Sequence, residues 1–176
     1  RHSSAPEEFL PAFSGRLQAL GAAHGLLSDL EWRGITLMDL VEKQVMPFVD
    51  MEDLRLRISG DKVLLSPDQA LAIGLILHEL GSNATKYGAL SVPEGTVDLS
   101  WAVAEQGAED GKESERLTIS WTERGGPPVT APSRRGFGTI LIQRSLAKIL
   151  SSNVVHEYRP EGVYAELSLD LESPSE

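Results

Sequence analysis

Hydrophobic and polar positions along this chain follow two different periods, and the switches between them mark its elements. From about Pro6 to Leu27, Phe9, Phe13, Leu17, Leu20 and His24 recur at three- and four-residue spacing, which predicts a helix with one apolar stripe. Ser4 supplies the cap, Pro6 sits in the first turn, and Glu7 and Glu8 lie near the positive end of the dipole. A second helix is expected from Leu37 to about Phe48. "LRLRIS" (54–59) then alternates as a strand does, and "KVLLS" (62–66), after a Gly-Asp turn, reads as its hairpin partner. Ser66-Pro67-Asp68 combines a hydroxyl cap, a proline at the first helical position and a carboxylate beside the dipole, so a third helix is predicted to run to about Tyr87. Gly88 is its natural stop.

Beyond it, "TVDLSWAV" (96–103) and "RLTISWTE" (116–123) read as strands joined by the polar loop "EQGAEDGKESE" (105–115). The stretch 124–136 is too rich in glycine and proline for regular structure. A helix is expected again at about 138–150, then strands at 153–160 and 162–170 and a polar tail. The pattern predicts an α+β fold, with a sheet leaning to antiparallel, helices on one face and the other face open.

Composition narrows the chemistry. The 176 residues fit one domain with a helical appendage. A formal net charge of −10 argues against a nucleic-acid surface, which needs clustered lysine and arginine. With no cysteine, disulfides, thiolate zinc sites and thiol nucleophiles are all excluded. No apolar run reaches the ~18 residues that span a bilayer, and the amino terminus lacks the apolar core of a signal peptide. The expectation is a cytoplasmic chain without direct membrane insertion.

The third helix begins as a purely apolar run, "ALAIGLIL" (70–77), and then becomes polar: His78, Glu79, Asn83 and Lys86. At ~100° per residue, Glu79, Asn83 and Lys86 fall within roughly 60° of one another, beside the stripe of Ile73, Leu77, Leu80 and Ala84 that must face the sheet. An amide and a carboxylate one turn apart suit a hydrated Mg²⁺, which keeps several waters and needs few protein oxygens, and Lys86 suits phosphate. The alternative is a polar helix end with nothing bound. "SWTERGGPPV" (120–129) places Glu123 at a strand end, an acceptor for an exocyclic amine, and Gly125 and Gly126 leave room for a flat base. "RRGFGTILIQRSLAKIL" (134–150) opens a helix with glycines on both sides of Phe137, where backbone amides suit an anion.

"HELGSNATKYGALS", "WTERGGPPV" and "GFGTILI" resemble the N, G1 and G2 boxes of the GHKL (Bergerat) nucleotide-binding fold, in the form found in HWE-type sensor histidine kinases. His78, Trp121 and Glu123 match the residues for which that subfamily is named. The segment 6–41 is similar to its second dimerisation helix and linker. The resemblance implies a two-layer α/β sandwich with a mixed, mostly antiparallel sheet. It divides the chain into residues 1–30, a remnant of a dimerisation and phosphotransfer helical domain, 31–172, a catalytic ATP-binding domain, and 173–176, a tail.

It further implies ATP and Mg²⁺ as ligands. Asn83 corresponds to the family's metal-binding asparagine and Glu79 to the acidic or amide position one turn earlier. Lys86 and Tyr87 lie at the nucleotide end of the same box. Glu123 stands where an aspartate usually reads adenine, and Gly125 follows it, with Gly126 beginning a short lid (126–135). Gly136, Phe137, Gly138 and Thr139 match the phosphate loop. The implied activity is γ-phosphoryl transfer to a histidine, with a response-regulator receiver domain, the chain's own dimerisation and phosphoacceptor helix and an upstream sensor domain as partners; the expected partner surface is the helix 6–27 and its missing mate, with a homodimer as one arrangement left open. The family's His-Arg-x-Lys-Asn-like acceptor motif is absent, so the acceptor is expected on a helix outside this sequence. Two rivals are a phosphotransfer or adaptor protein with a degenerate ATP site and a GHKL ATPase with Glu79 as base. His78 assists phosphoryl transfer, orients the catalytic Glu79, or is a histidine hydrogen-bonded at the core edge. His24 is expected to pack, and Trp121 to fill the core beneath Glu123. Arg134 and Arg135 either clamp the γ-phosphate or are solvated.

Overall fold

A computed structural model of the chain describes residues 35–49, 54–106, 114–128 and 153–171. Seven strands and two α-helices lie within them. β1 (Ile35–Thr36) leads directly into α1 (Leu37–Gln44). Thr36 and Asp39 form a reciprocal capping box at that start, satisfying two backbone donors that the first turn leaves without partners. The helix ends earlier than its apolar pattern predicts. Pro47 cannot continue an α-helical ladder, and the chain tightens instead into a 3₁₀ turn at Met46–Phe48.

β2 (Leu56–Gly60) and β3 (Leu64–Leu65) follow, then α2 (Pro67–Lys86), a 3₁₀ turn at Ala89–Ser91, and the long strands β4 (Thr96–Gln106) and β5 (Ser114–Arg124). β6 (Asn153–Arg159) and β7 (Gly162–Asp170) complete a five-stranded sheet of order β2-β4-β5-β7-β6. β2 runs parallel to β4, and every other pairing is antiparallel. The sequence reading of 62–66 as the hairpin partner of β2 is therefore corrected. β3 pairs instead with β1, Ile35 opposite Leu65. Asp61 explains the diversion, because its carbonyl accepts the Trp101 indole N–H at 2.7 Å while Val63 accepts the backbone N–H of Leu37 at 2.9 Å. The chain leaves the sheet at Gly60 and joins the helical layer. α2 then provides the crossover that a parallel pair requires.

Register assigns the two sheet faces. Val97, Leu99 and Trp101 of β4 stand opposite Glu123, Trp121 and Ile119 of β5, and Leu117, Ile119 and Trp121 stand opposite Leu169, Leu167 and Ala165 of β7. This face is buried beneath α2, whose Ile73, Leu77, Leu80 and Ala84 are buried as the helical stripe predicts. Ile73, Leu77 and Leu80 each contribute ~1.5–3 kcal/mol when fully removed from water. A cavity of about 20 Å³ remains between Ile76, Leu80, Trp121 and Ala165. It has room for little more than a water molecule.

The opposite face is hydroxyl-rich and charged. Thr118 and Ser168 are hydrogen-bonded across strands at 3.2 Å, and Asp98 pairs with both Arg124 (2.7 Å) and Arg57 (3.6 Å). Such a face suits water, as expected for a largely antiparallel sheet covered on one side. Among the described residues no helix is long and apolar enough to cross a membrane. The expected helices at 6–27 and 138–150, the domain division at residue 30 and the tail lie outside the described residues.

Candidate functional site

The C-terminal half of α2 presents two chemically different sides. On one, Gly74 and Gly81 allow α1 and the turn after it to come close: a side chain on Gly81 would meet the Phe48 ring at 2.6 Å, and one on Gly74 would meet Leu40 at 3.2 Å. His78 belongs to this side, its ring edge-on to Phe48 with centroids 5.1 Å apart. On the other side Glu79 is buried (7% exposed), Asn83 is half-buried and Lys86 is exposed. By helical geometry His78 stands about 140° around the axis from Asn83. The two candidates that the sequence places five residues apart thus face different neighbours. Among the described residues no protein group hydrogen-bonds the Asn83 side chain.

α2 ends where its backbone turns away from the axis. Asn83 O accepts the N–H groups of Tyr87 (2.8 Å) and Gly88 (3.0 Å), and Tyr87 is left 75% exposed. Gly88 ends the helix for a reason other than the one its sequence position suggests. Its φ of −105° is open to any residue, so no left-handed cap is involved. What glycine supplies is space: a methyl group here would overlap a carboxylate oxygen of Glu123 and the Ala84 backbone.

Glu123 is the centre of this contact. Strand periodicity puts it on the same face of β5 as Trp121, two residues earlier. The Trp121 indole N–H donates to Glu123 Oε1 at 3.0 Å, and the Ala89 backbone N–H donates to Oε2 at 2.8 Å. With only 3% of Glu123 exposed, burial raises its pKa above the ordinary 4.5, outweighing the two hydrogen bonds that favour the anion. Each oxygen has taken one donor and keeps acceptor capacity for another.

The chain then reverses at Gly125, whose φ of +68° is a conformation that side chains disfavour. A side chain on Gly126 would lie 2.7 Å from Ala89 Cα. The room at this glycine, read from the sequence as space for a flat base, is filled from within by the turn after α2. Gly162, the first residue of β7, lies against the Glu123 carbonyl with no space for a side chain. Sequence reading marked Gly162 only as a boundary between strands. Neither Ala89 nor Gly162 was a candidate, and no local pattern singles them out. The Trp121–Glu123 bond was accessible from the two-residue strand period.

Of the three motif segments, the structure brings together the end of α2 (Asn83–Ala89) and the end of β5 (Trp121–Gly126). Gly136, Phe137, Gly138 and Thr139, with Arg134 and Arg135, lie outside the described residues. Among the described residues no three histidine, aspartate or glutamate side chains gather as a metal site.

This mixed sheet, covered on one face by helices, is the fold of histidine kinase catalytic domains. It matches the catalytic domain of histidine kinase ThkA over 83% of this chain and 100% of that one, with a TM-score of 0.52 and 16% identity. It matches the histidine kinase domain of the Erythrobacter litoralis EL346 blue-light activated histidine kinase over 93% of this chain and 81% of that one, with a TM-score of 0.61 and 16% identity. Residues 1–62 match the HWE histidine kinase family, and the chain is 35% identical over 167 residues to a blue-light-activated histidine kinase of Brucella anthropi, covering 95% of this chain. The chain belongs to the HWE histidine kinase family. It spans about a third (33%) of the length of that curated relative.

Proposed function

We propose that this chain is the ATP-binding catalytic region of a two-component sensor histidine kinase, with residues 1–30 contributing to its dimerisation helices. The observation that carries this reading is the Glu123–Ala89 hydrogen bond, which holds the strand-end carboxylate against the helix end that bears Asn83, Lys86 and Tyr87. The donor set fits a magnesium nucleotide. Asn83 offers a half-buried amide oxygen, a hard ligand of the kind Mg²⁺ accepts while keeping most of its waters. Lys86 and Tyr87 are exposed beside it, a cation for phosphate and a ring at the mouth. Glu123 is the acceptor for the exocyclic amine of the base, Gly125 and Gly126 shape the turn beneath it, and Gly136 to Thr139 serve as the phosphate loop.

Glu79 is the candidate base and second metal-side oxygen. His78, packed on Phe48, supports that helix turn from its far side. Phosphoryl transfer asks little covalent work of a protein, so the work of these groups is to position the phosphates and offset the charge that spreads over their oxygens. The acceptor is a histidine on a phosphoacceptor helix, followed by an aspartate of a response-regulator receiver domain. Titration with ATP, with and without Mg²⁺, tests the reading. The Asn83→Ala variant is expected to lose the Mg²⁺-dependent part of the affinity, about tenfold or more, with an unchanged circular dichroism spectrum; unchanged binding removes the metal role. ATP turnover with no acid-labile phosphohistidine on a supplied acceptor helix would point to an ATPase instead.

A further inference from the structure

We infer that Trp121 is a positioning residue for base selection, its indole N–H holding the Glu123 carboxylate in the rotamer that accepts an amine. This rests on the reading of Glu123 as the base acceptor and adds to it the group that makes Glu123 selective.

The two residues share one face of β5, one 1% exposed and the other 3%. Their bond of 3.0 Å occupies one carboxylate oxygen, and the 2.8 Å bond from Ala89 occupies the other. Two N–H donors, one on each oxygen, favour the acceptor-only carboxylate form and leave one lone pair on each oxygen for a further donor. They also fix the side chain. Glutamate has one more rotatable bond than aspartate, and a carboxylate tethered at one oxygen alone keeps a torsion that lets it turn from its target. Tethered at both, it presents a fixed pair of acceptor lone pairs. Such an edge accepts the 6-amino group of a purine and opposes a 6-oxo group, since two acceptors then meet without a proton between them. The indole N–H thereby becomes part of the discrimination without reaching the nucleotide.

The test replaces the N–H and leaves the ring. Incorporating 3-benzothienylalanine at position 121 puts sulfur where the indole nitrogen stands; Trp121→Phe is the second variant. Dissociation constants of Mg·ADP and Mg·IDP are measured by calorimetry on the 176-residue chain, with thermal melts to establish folding. ADP is expected to bind the unmodified chain more tightly than IDP. The ratio should fall about tenfold in the benzothienyl variant, the size of one lost charge-assisted hydrogen bond, with IDP affinity kept within about twofold. An equal loss for both nucleotides, or an unmoved ratio, reduces Trp121 to a core residue and overturns the inference. Should Trp121→Phe not fold, the benzothienyl variant decides alone. If the unmodified chain binds neither nucleotide, the proposed function falls and the inference with it; ADP binding with an unmoved ratio sinks the inference alone.

Discussion

At the N-terminal end of α2, Gln69 does three things at once while almost fully buried. Its amide oxygen accepts the Ser66 N–H at 3.2 Å, its backbone N–H donates to Ser66 Oγ at 3.4 Å, and its amide nitrogen donates to the Asp170 carbonyl at 3.0 Å, joining the helix to the end of β7. The opposite end of the same helix is joined to the sheet by a residue that is not in the helix. Glu123 reaches across from β5, brings a charge into the interior, and needs Gly88 and Gly162 to clear space around it, while Gly126 clears space for its partner Ala89. The first anchor is neutral, and two of its three bonds lie within the capping turn. The second is ionisable and crowded, and it adjoins the residues proposed to hold the nucleotide. A stable anchor and a functional anchor are thus built on the two ends of one rod. Disturbing the first should weaken the fold, whereas disturbing the second should weaken the fold and the site together.

That contrast can be broken most severely at Gly88. Gly88→Ala forces a methyl into the Glu123 carboxylate, and an overpacking cost of about 3 kcal/mol is expected in urea denaturation, with loss of ADP affinity. Next is Glu123→Gln, which turns an NH₂ toward one of the two N–H donors and should cost about 2 kcal/mol. This variant also carries a pH signature. Because burial raises the Glu123 pKa, the folded chain holds its proton more tightly than the unfolded one, so its contribution is full below 4.5 and is lost as pH rises through the raised value. Denaturation curves across that window should slope in the unmodified chain and lose that slope in the variant. The smallest effect is expected at Gln69→Ala, about 1–2 kcal/mol from the lost cap and the bond to β7, with nucleotide affinity unchanged once the protein is folded. Lost affinity in that variant would erase the distinction between the two anchors.

Much of this arrangement was legible before any coordinates. The apolar stripe of α2, the Ser66 cap and the four antiparallel strands follow from local period and turn chemistry, and they stand where those rules put them. Glu123 was readable as a strand-end carboxylate, expected to accept an exocyclic amine, but its bond to the Ala89 backbone was not. The parallel partner of β2 was not readable, because its choice depends on α2 lying between two segments about 40 residues apart, and no local alternation encodes that. Leu64 and Leu65 look like any short strand, and the Trp101–Asp61 and Leu37–Val63 bonds reveal why they leave β2. The position of His78 was equally hidden. A five-residue spacing fixes its angle from Asn83, but only the fold says that Phe48 waits on that side.

The outer strand β2 also bears on how the molecule meets copies of itself. It is only five residues long, Arg57 adds charge to it, and its last residue, Gly60, packs on the Trp101 indole. Exposed strand margins invite intermolecular pairing, and brevity and charge are among the usual deterrents. A ladder that stops where the backbone turns toward the helical layer therefore leaves little border for aggregation.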